Sequence, residues 1–202
     1  GIPTANRIFN QLATFHYKGK ENQITGNGLT NASNGKILIV ELYNNDISLT
    51  LTNGTGITNN TTLSSDGGRL EIKKGILVSD ATAPISSTGK LIMSDGTYKI
   101  AELTTVPQLT GTYDISGGTI ELNGGEGTQT LRAGKDYYSL TFSGGGTKLT
   151  SSAITNIGDN DNVNQGLVTI KDDSTILDVG SSTFSGNAGL NMTDNSRFRM
   201  KT

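Results

Sequence analysis

The chain has 202 residues, a formal net charge of −2 at pH 7 and no cysteine. These values exclude disulfide bonds, thiolate metal ligands and a cysteine nucleophile. The near-neutral balance, without a run of basic residues, argues against nucleic acid as a partner, because such a partner selects a concentrated basic face. Gly, Ser, Thr and Asn make up nearly half of the residues. Short bursts of Val, Ile and Leu recur between them, which is typical of an all-β chain rather than a disordered one.

Alternating apolar and polar residues predict many short strands. No window carries the apolar spacing of an amphipathic helix, so helix content should be close to zero. Most of the segments hold two inward apolar residues and are joined by links rich in Gly, Asn and Asp. The predicted strands cover residues 37–42, 47–51, 70–72, 91–93, 98–100, 113–115, 120–122, 140–142, 168–170, 177–179, 190–192 and 198–200.

Strands this short favour a β-solenoid, similar to a parallel β-helix, in which each coil supplies two or three strands and stacks on the coil before it. We expect about 20 to 25 residues per coil, within the usual range of structural repeats. Two tandem β-sandwich domains are the alternative, because a sandwich also uses many strands separated by turns. The solenoid predicts one continuous core that contains Leu42, Leu49, Leu70, Ile72, Met93, Ile100, Ile120, Leu122, Phe142, Val168, Ile170, Val179, Met192 and Phe198.

The sequence also repeats with an offset of about 100 residues. Val40–Tyr43, for example, aligns with Leu140–Ser143, and the apolar positions survive the comparison while the residues between them change. We therefore expect residues 1–202 to form a single continuous solenoid of two units, approximately 1–104 and 105–202, the second of them truncated. Because both ends fall within a repeat, we expect a piece of a longer protein, whose adjoining repeats are its partners.

Asp and Asn alternate directly after Gly158, and their oxygens resemble the opening of a calcium loop. The candidate ligands are Asp159, Asp161 and Asn164. No Gly follows at the sixth position and no Glu closes the loop, so a solvated turn is the favoured interpretation and a calcium site is the alternative. We expect no other cofactor.

Three tyrosines, Tyr43, Tyr137 and Tyr138, are the aromatic residues that we predict to be most exposed. An exposed aromatic ring can stack on a sugar or anchor a partner, so these three are the candidate ligand contacts. The tyrosines that lie in the apolar phase, and that we expect in the core or at its edge, are Tyr17, Tyr98 and Tyr113.

Asp172 and Asp173 are neighbouring carboxylates, and glycoside hydrolases use carboxylates in pairs. Their local sequence also reads as a turn between two strands, which is the favoured interpretation. His16 is the single histidine, and it lies on the outward phase of a strand, so we expect it to face solvent rather than to act as a catalytic base. No catalytic residue is therefore predicted.

One long pattern carries a family resemblance. It comprises Gly111–Gly124, Gln129–Thr130 and Tyr137–Lys148, which contain the segments GTYDISGGTIELNG, QT and YYSLTFSGGGTK. This pattern resembles the repeats of large secreted surface proteins of Bacteroidetes, including the giant adhesins used in gliding. The first unit departs from it, since Asn44–Asp46 replaces the glycine run.

The resemblance implies export to the cell surface, anchoring at the outer membrane through regions absent from this chain, and a role in adhesion. We therefore expect a non-enzymatic repeat segment of a cell-surface adhesin that works as a stiff, extended spacer or adhesive stalk, with surface polysaccharide or a host or substratum ligand as a further partner. No apolar stretch approaches the roughly 18 residues that span a bilayer, so no membrane insertion is expected. The alternative is a carbohydrate-active β-helix, either a polysaccharide lyase or a carbohydrate-binding module.

Overall fold

The computed structural model describes residues 13–25, 37–51, 57–58, 68–150, 157–158, 166–183 and 185–200. These residues are all-β, without a helix, and their parallel strands stack as a β-solenoid of about 7 turns. The prediction of a β-solenoid is therefore confirmed. The tandem-sandwich alternative is wrong, because sandwiches pair their strands antiparallel, whereas the strands named below pair in parallel.

The strands are short and follow one another closely along the chain. The first of them are β1 (Thr14–Tyr17), β2 (Gln23–Ile24), β3 (Ile37–Glu41), β4 (Ser48–Thr50), β5 (Ile57–Thr58), β6 (Arg69–Lys74), β7 (Ile76–Ser79), β8 (Ile85–Ser87), β9 (Lys90–Met93) and β10 (Thr97–Ile100). They continue with β11 (Thr105–Val106), β12 (Gln108–Leu109), β13 (Tyr113–Ile115), β14 (Thr119–Leu122), β15 (Thr128–Leu131), β16 (Ser139–Phe142), β17 (Thr147–Thr150), β18 (Leu167–Ile170), β19 (Ile176–Gly180), β20 (Gly189–Met192) and β21 (Arg197–Met200).

Four sheets run along the solenoid within the described residues. Sheet 2 is the longest, with eight strands in the order β2-β4-β7-β10-β14-β16-β18-β20. Sheet 1 has the order β1-β3-β6-β9-β13, sheet 3 has β11-β15-β17-β19-β21, and sheet 4 has β12-β8-β5. Because sheet 2 passes through every described coil, each coil is named here by its strand in that sheet.

Alternation along most of the strands decides which side chains enter the core. In β10, Tyr98 and Ile100 are buried, whereas Thr97 and Lys99 are only half-buried. The parallel register places Tyr98 beside Leu77 of β7 on one side and Ile120 of β14 on the other, so inward positions stack on inward positions. Each buried large apolar side chain contributes roughly 1.5–3 kcal/mol, and stacking repeats this contribution from coil to coil.

The predicted core agrees with the structure except at its last coil. The predicted core residues that are buried are Leu42, Leu49, Leu70, Ile72, Met93, Ile100, Ile120, Leu122, Phe142, Val168, Ile170 and Val179. Phe198 is only partly buried, and Met192 keeps 42% of its surface exposed. Both belong to the coil of β20, over which no further described coil packs, so the prediction of a buried Met192 is wrong.

The tyrosines assigned to the apolar phase also lie where the sequence predicts. Tyr98 is fully buried, while Tyr17 and Tyr113 are partly buried against the same core. The ring of Tyr98 fills the interior of the solenoid beside the aliphatic residues, as close packing of a core requires, and the other two tyrosines lie at the edge of the core.

The solenoid changes its cross-section in the coil of β10. Sheet 4 has its last strand there, β12, and sheet 3 has its first, β11. Only Pro107 separates these two strands, and the Val106–Pro107 peptide bond is cis. Proline has no N–H and therefore donates no ladder hydrogen bond. A proline is therefore well accommodated between the first strand of sheet 3 and the last strand of sheet 4.

The division into units 1–104 and 105–202 stays a prediction. The strands that the comparison of the two units aligns lie in different sheets, since β3 belongs to sheet 1 and β16 belongs to sheet 2. Similar alternation in every strand explains how strands from different sheets align in sequence.

Candidate functional site

A cluster of basic residues surrounds one exposed tyrosine where sheet 1 turns into sheet 2. Lys18 and Lys20 follow β1, Tyr43 follows β3, and Lys73 and Lys74 end β6. These five residues, called the basic corner below, come from three successive coils. The strand register stacks β1 on β3 and β3 on β6, so the side chains meet because the backbone ladder aligns the corners.

Backbone contacts hold the basic corner in place. The N–H of Tyr43 donates to the carbonyl of Gly19 at 2.9 Å, and the N–H of Leu42 donates to the carbonyl of Lys74 at 3.1 Å. Gly75 has a φ of +94°, and a Cβ there would lie 2.7 Å from the Cβ of Leu42. Glycine is therefore needed at this position, both for the left-handed conformation and for the close approach of the coils.

The ring of Tyr43 is exposed, as the sequence predicts, with 63% of the residue's surface accessible. The Nζ of Lys20 lies over this ring, 5.3 Å from the ring centroid. A cation over an aromatic face is attracted by the negative face of the ring, with about 0.5–1 kcal/mol at an exposed site. Lys20 therefore stays near the ring without a carboxylate to hold it.

Glu41 is the carboxylate at the centre of the basic corner. Its Oε2 lies 2.8 Å from Nε2 of His16, 3.5 Å from Nζ of Lys18 and 3.9 Å from Nζ of Lys73. The hydrogen bond from His16 and the positive charges of Lys18 and Lys73 hold the pKa of Glu41 below its usual value. Glu41 therefore stays ionised, and His16 is exposed, as predicted.

Two lysines of the basic corner are left without such a partner. Within the described residues, neither Lys20 nor Lys74 forms an ion pair with a carboxylate. Both line an open depression of about 510 Å³, together with Lys18, Glu41 and Tyr43. An aromatic ring beside ammonium groups that lack a described carboxylate partner offers stacking and charge to the same ligand.

The other two tyrosine candidates lie elsewhere and do not join Tyr43. Tyr137 is only 1% exposed, its hydroxyl donates to the carbonyl of Arg132 at 2.5 Å, and its ring meets Tyr113 edge-on at 5.9 Å. Its predicted exposure is therefore wrong. The chain bends at Tyr138, which is half-buried, so the alternation counted back from Leu140 does not extend to Tyr137.

Asp172 and Asp173 act in the structure as turn residues that bond neighbouring coils. Asp172 Oδ2 accepts the N–H of Gly144 in the preceding coil at 2.9 Å. Asp173 Oδ1 accepts the N–H and the side-chain amide of Asn195 in the following coil, at 3.3 and 3.1 Å. The two exposed carboxylates thus point to opposite neighbours along the stack rather than converging on one point.

The calcium-loop candidates, Asp159, Asp161 and Asn164, lie outside the described residues, so the calcium alternative stays a prediction. In the part of the chain that the structure does describe, no group of three or more His, Cys, Asp or Glu side chains could hold a metal ion. The same part includes no helix with the length and apolar character that a membrane span requires.

The sequence did not indicate a buried polar ladder in sheet 3. Lys148 and Gln129 are both fully buried and are neighbours in the register of β15 and β17. Lys148 Nζ donates to the carbonyl of Gly124 and to Gln129 Oε1, the latter at 2.8 Å, and Gln129 Nε2 donates to the carbonyl of Glu102 at 2.9 Å. Burial lowers the pKa of Lys148 to about 8. These bonds satisfy groups that would otherwise be costly inside a core.

The coil of β20 presents an apolar end face, formed by Leu190, Met192, Phe198 and Met200. Leu190 is 56% exposed and Met200 is 66% exposed. The register places Met192 beside the fully buried Ile170, so these side chains continue the inward ladder. The end face borders a depression of about 520 Å³. Apolar surface of this kind commonly marks a place where protein packs against protein.

No protein-family model, no curated protein and no solved structure matches the chain. Its function is therefore inferred from the sequence and from the geometry described above.

Proposed function

We propose that the chain is a non-enzymatic repeat segment of a large secreted cell-surface adhesin, in which it serves as a stiff, extended spacer or stalk. The cell-surface setting comes from the resemblance of residues 111–148 to Bacteroidetes adhesin repeats. The stalk role comes from the fold, since a solenoid extends by adding coils and each coil contacts only its neighbours.

The observation that carries the stalk role is the continuous ladder of sheet 2, which ends at the open edge of β20. Each strand of this sheet pairs in parallel with the next, and successive coils lie about 4.8 Å apart. A ladder of this kind resists bending better than separate domains on flexible linkers, because every coil is bonded to the next by more than one sheet. The segment is therefore suited to act as a spacer that keeps the regions on either side of it at a fixed separation.

We infer that the end face takes the next coil of the same polypeptide. Met192 and Phe198 occupy inward positions, and no other described strand pairs with the outer edges of β20 and β21. A further coil would supply parallel partners for these edges and apolar atoms for Leu190 and Met200. An open strand edge left uncovered invites pairing with other chains.

The proposal of a non-enzymatic role is supported by the arrangement of the carboxylates. Asp172 accepts a hydrogen bond from a turn of the preceding coil, and Asp173 accepts one from a turn of the following coil. Glu41 is held by His16 and two lysines. A glycosidase needs two carboxyls that face each other across the bond to be cleaved, and these three residues do not supply such a pair.

A carbohydrate-binding role is the second candidate, and the basic corner is the observation that favours it. An exposed ring such as that of Tyr43, placed beside cationic groups, is one way for a surface to hold a charged sugar. A binding role is compatible with the stalk, because both use the surface of a rigid scaffold. A carbohydrate-binding module differs from a polysaccharide lyase, the other alternative, because it releases the polysaccharide uncleaved.

Particle length and polysaccharide turnover together test the proposed function. A longer piece of the parent polypeptide that includes the adjoining repeats should appear as a straight rod by small-angle scattering and electron microscopy. The rod should lengthen by about 4.8 Å per added coil, and the longer piece should melt at a higher temperature. Incubation with acidic and neutral polysaccharides should release no new reducing ends and no unsaturated sugars. A globular or bent longer piece would contradict the stalk, and chain cleavage would contradict the non-enzymatic role.

A further inference from the structure

We propose that the basic corner binds an acidic polysaccharide, with a sugar ring against Tyr43 and the acidic groups of the polymer on the surrounding lysines. This inference rests on the proposed function for its cell-surface setting, and it names the ligand class that the stalk would hold.

The first step is the position of Tyr43. Its ring is among the most exposed large apolar groups of the described residues, yet its backbone is fixed to Gly19 by a hydrogen bond of 2.9 Å. A rigid aromatic residue loses little conformational entropy when it binds, since it has only two side-chain torsions to restrict. The C–H face of a pyranose ring is apolar and flat enough to pack against such a ring.

The second step is the charge around the ring. The whole chain is slightly acidic, with a net charge of −2, but the basic corner gathers four lysines beside two carboxylates, those of Glu41 and Glu71. Lys18 pairs with Glu41 and Lys73 pairs with both carboxylates, whereas Lys20 and Lys74 have no carboxylate partner within the described residues. A local positive field on a negative protein selects an anion, and ammonium groups form their stronger hydrogen bonds with charged acceptors.

The third step is the spacing. The backbones of Lys20, Tyr43 and Lys74 lie on three successive coils, so they span about 10 Å along the solenoid axis. That distance is comparable to the centre-to-centre span of three linked sugars, so a sugar on Tyr43 has one neighbour toward Lys20 and one toward Lys74. A polymer that carries an acid group on each sugar is therefore a better match than a single small anion.

The test measures binding of oligogalacturonate to the whole chain by calorimetry at low salt. Neutral dextran and poly-glutamate are the comparison polymers, the first a sugar without charge and the second a charge without a sugar ring. Oligogalacturonate should bind, dextran should not, and poly-glutamate should bind at least tenfold more weakly. Equal binding of poly-glutamate would show ion exchange only and would overturn the proposal, as would no binding of oligogalacturonate.

The variants separate the ring from the charges. Tyr43→Ala should weaken oligogalacturonate binding at least tenfold, while Tyr43→Phe keeps the ring and should stay within about twofold of the wild type. Lys20→Ala and Lys74→Ala should each weaken binding several-fold and reduce its salt dependence, because fewer charges then take part. Lys90→Ala, a lysine of β9 outside the basic corner, is the matched control and should leave binding unchanged.

Two outcomes with the variants would overturn the proposal. One is a Tyr43→Ala variant that binds as well as the wild type, and the other is a Lys90→Ala variant that loses as much affinity as Lys20→Ala. Melting curves of all variants should nearly coincide, since none of the changed side chains is buried in the core. The stalk proposal is tested without any glycan, by rod length and melting of the longer piece, so its failure is separate from a failure here.

Discussion

Asn45 and Asp95 are joined by hydrogen bonds although a whole coil lies between them in the stack. Asn45 Nδ2 donates to both carboxylate oxygens of Asp95 at 3.1 Å, and Asn45 Oδ1 accepts the N–H of Gly75 at 2.9 Å. The intervening coil contributes only Gly75 between β6 and β7. Asn45 therefore reaches across a shortened turn and bonds the two coils that follow its own.

Replacing Asn45 tests this bridge. Asn45→Ala removes the acceptor for Gly75 and the donor to Asp95, and we expect a loss of about 1–2 kcal/mol in the free energy of unfolding, because each exposed hydrogen bond contributes about 1 kcal/mol or less. Asn45→Asp keeps the acceptor but places a carboxylate against Asp95, so at neutral pH it should be at least as destabilising. Urea denaturation measures both variants.

Asn44→Ala is the matched control for the bridge. Asn44 also accepts a backbone N–H, that of Asp46 at 3.1 Å, but this contact lies within its own turn. The control should therefore cost less than Asn45→Ala. Equal losses for the two variants would mean that local turn structure, and not the bridge between coils, accounts for the effect.

Successive coils approach each other closely at Gly166. A Cβ at Gly166 would lie 1.7 Å from the carbonyl oxygen of Tyr138, which is backbone and has little freedom to move. Gly166→Ala should therefore lower the free energy of unfolding by about 1–3 kcal/mol or more, as overpacking does in a dense core. Thermal and urea unfolding measure the change.

Gly125→Ala provides the contrast. The nearest atom to a Cβ at Gly125 is the carbonyl oxygen of Gly144 at 3.9 Å, an ordinary contact. This variant should stay within about 0.5 kcal/mol of the wild type, as is usual for surface substitutions. If Gly166→Ala were as stable as Gly125→Ala, the coils would not approach each other as closely as the structure describes.

The strands and most of the core could be predicted because, in stacked sheets, alternating apolar and polar residues place the apolar side chains in the core. Leu70 and Ile72 are buried for the same reason as Ile120 and Leu122, namely that inward positions of one coil cover inward positions of the next. The number of apolar positions per strand also indicated short strands, and therefore a solenoid.

The buried polar ladder could not be predicted for an equally physical reason. In β17 the apolar Leu149 points outward and Lys148 points inward, so hydrophobicity alone assigns the wrong phase. Lys148 is tolerated because Gln129 and the carbonyl of Gly124, both supplied by the preceding coil, accept its hydrogen bonds. Sequence alternation does not carry this information, since it depends on which residues the register brings together.

The candidate site, too, has features that could be predicted from the sequence and features that could not. The exposure of Tyr43 could be predicted because it directly follows the predicted strand 37–42. Its neighbours Lys20 and Lys74 could not be assigned to it, because they belong to other coils and meet it only through the register. Tyr137 was misassigned because a bend at Tyr138 interrupts the alternation.

Lys148 should make stability depend on pH. Burial lowers its pKa from 10.5 to about 8, so between these pH values the unfolded chain binds a proton that the folded chain does not. The free energy of unfolding therefore rises as the pH is raised from about 8 to about 10.5, because Lys148 loses its proton in the folded state first. Below pH 8 Lys148 is charged in both states, and the folded state is destabilised by the full cost of burying that charge. The rise should be about 3 kcal/mol, since one pKa unit corresponds to about 1.4 kcal/mol.

Lys148→Met isolates this contribution, because all other titrating groups are shared with the wild type. The difference in the free energy of unfolding, wild type minus variant, should increase across the interval from pH 8 to pH 10.5 when measured by urea denaturation. A difference that stays constant over this interval, or falls, would mean that Lys148 keeps an ordinary pKa in the folded state.

The end face should cause the isolated segment to self-associate. Leu190, Met192 and Met200 are exposed there, beside edges of β20 and β21 that no other described strand covers. Without a following coil, a second copy of the chain can cover them. Two identical end faces can meet about a two-fold axis, which closes the contact and gives dimers rather than filaments. The average mass in sedimentation experiments should therefore rise with protein concentration and level off at twice the chain mass.

Charged substitutions locate the contact. Leu190→Lys combined with Met200→Lys should abolish the dimer, because a buried unpaired charge is costly in an apolar contact. Leu103→Lys is the matched control, since Leu103 is also a large exposed apolar residue, 51% accessible, but lies away from the end face. The control should dimerise like the wild type. If the wild type stayed monomeric at the highest attainable concentration, or if Leu103→Lys abolished the dimer as well, the end face would not be the surface that a further coil covers.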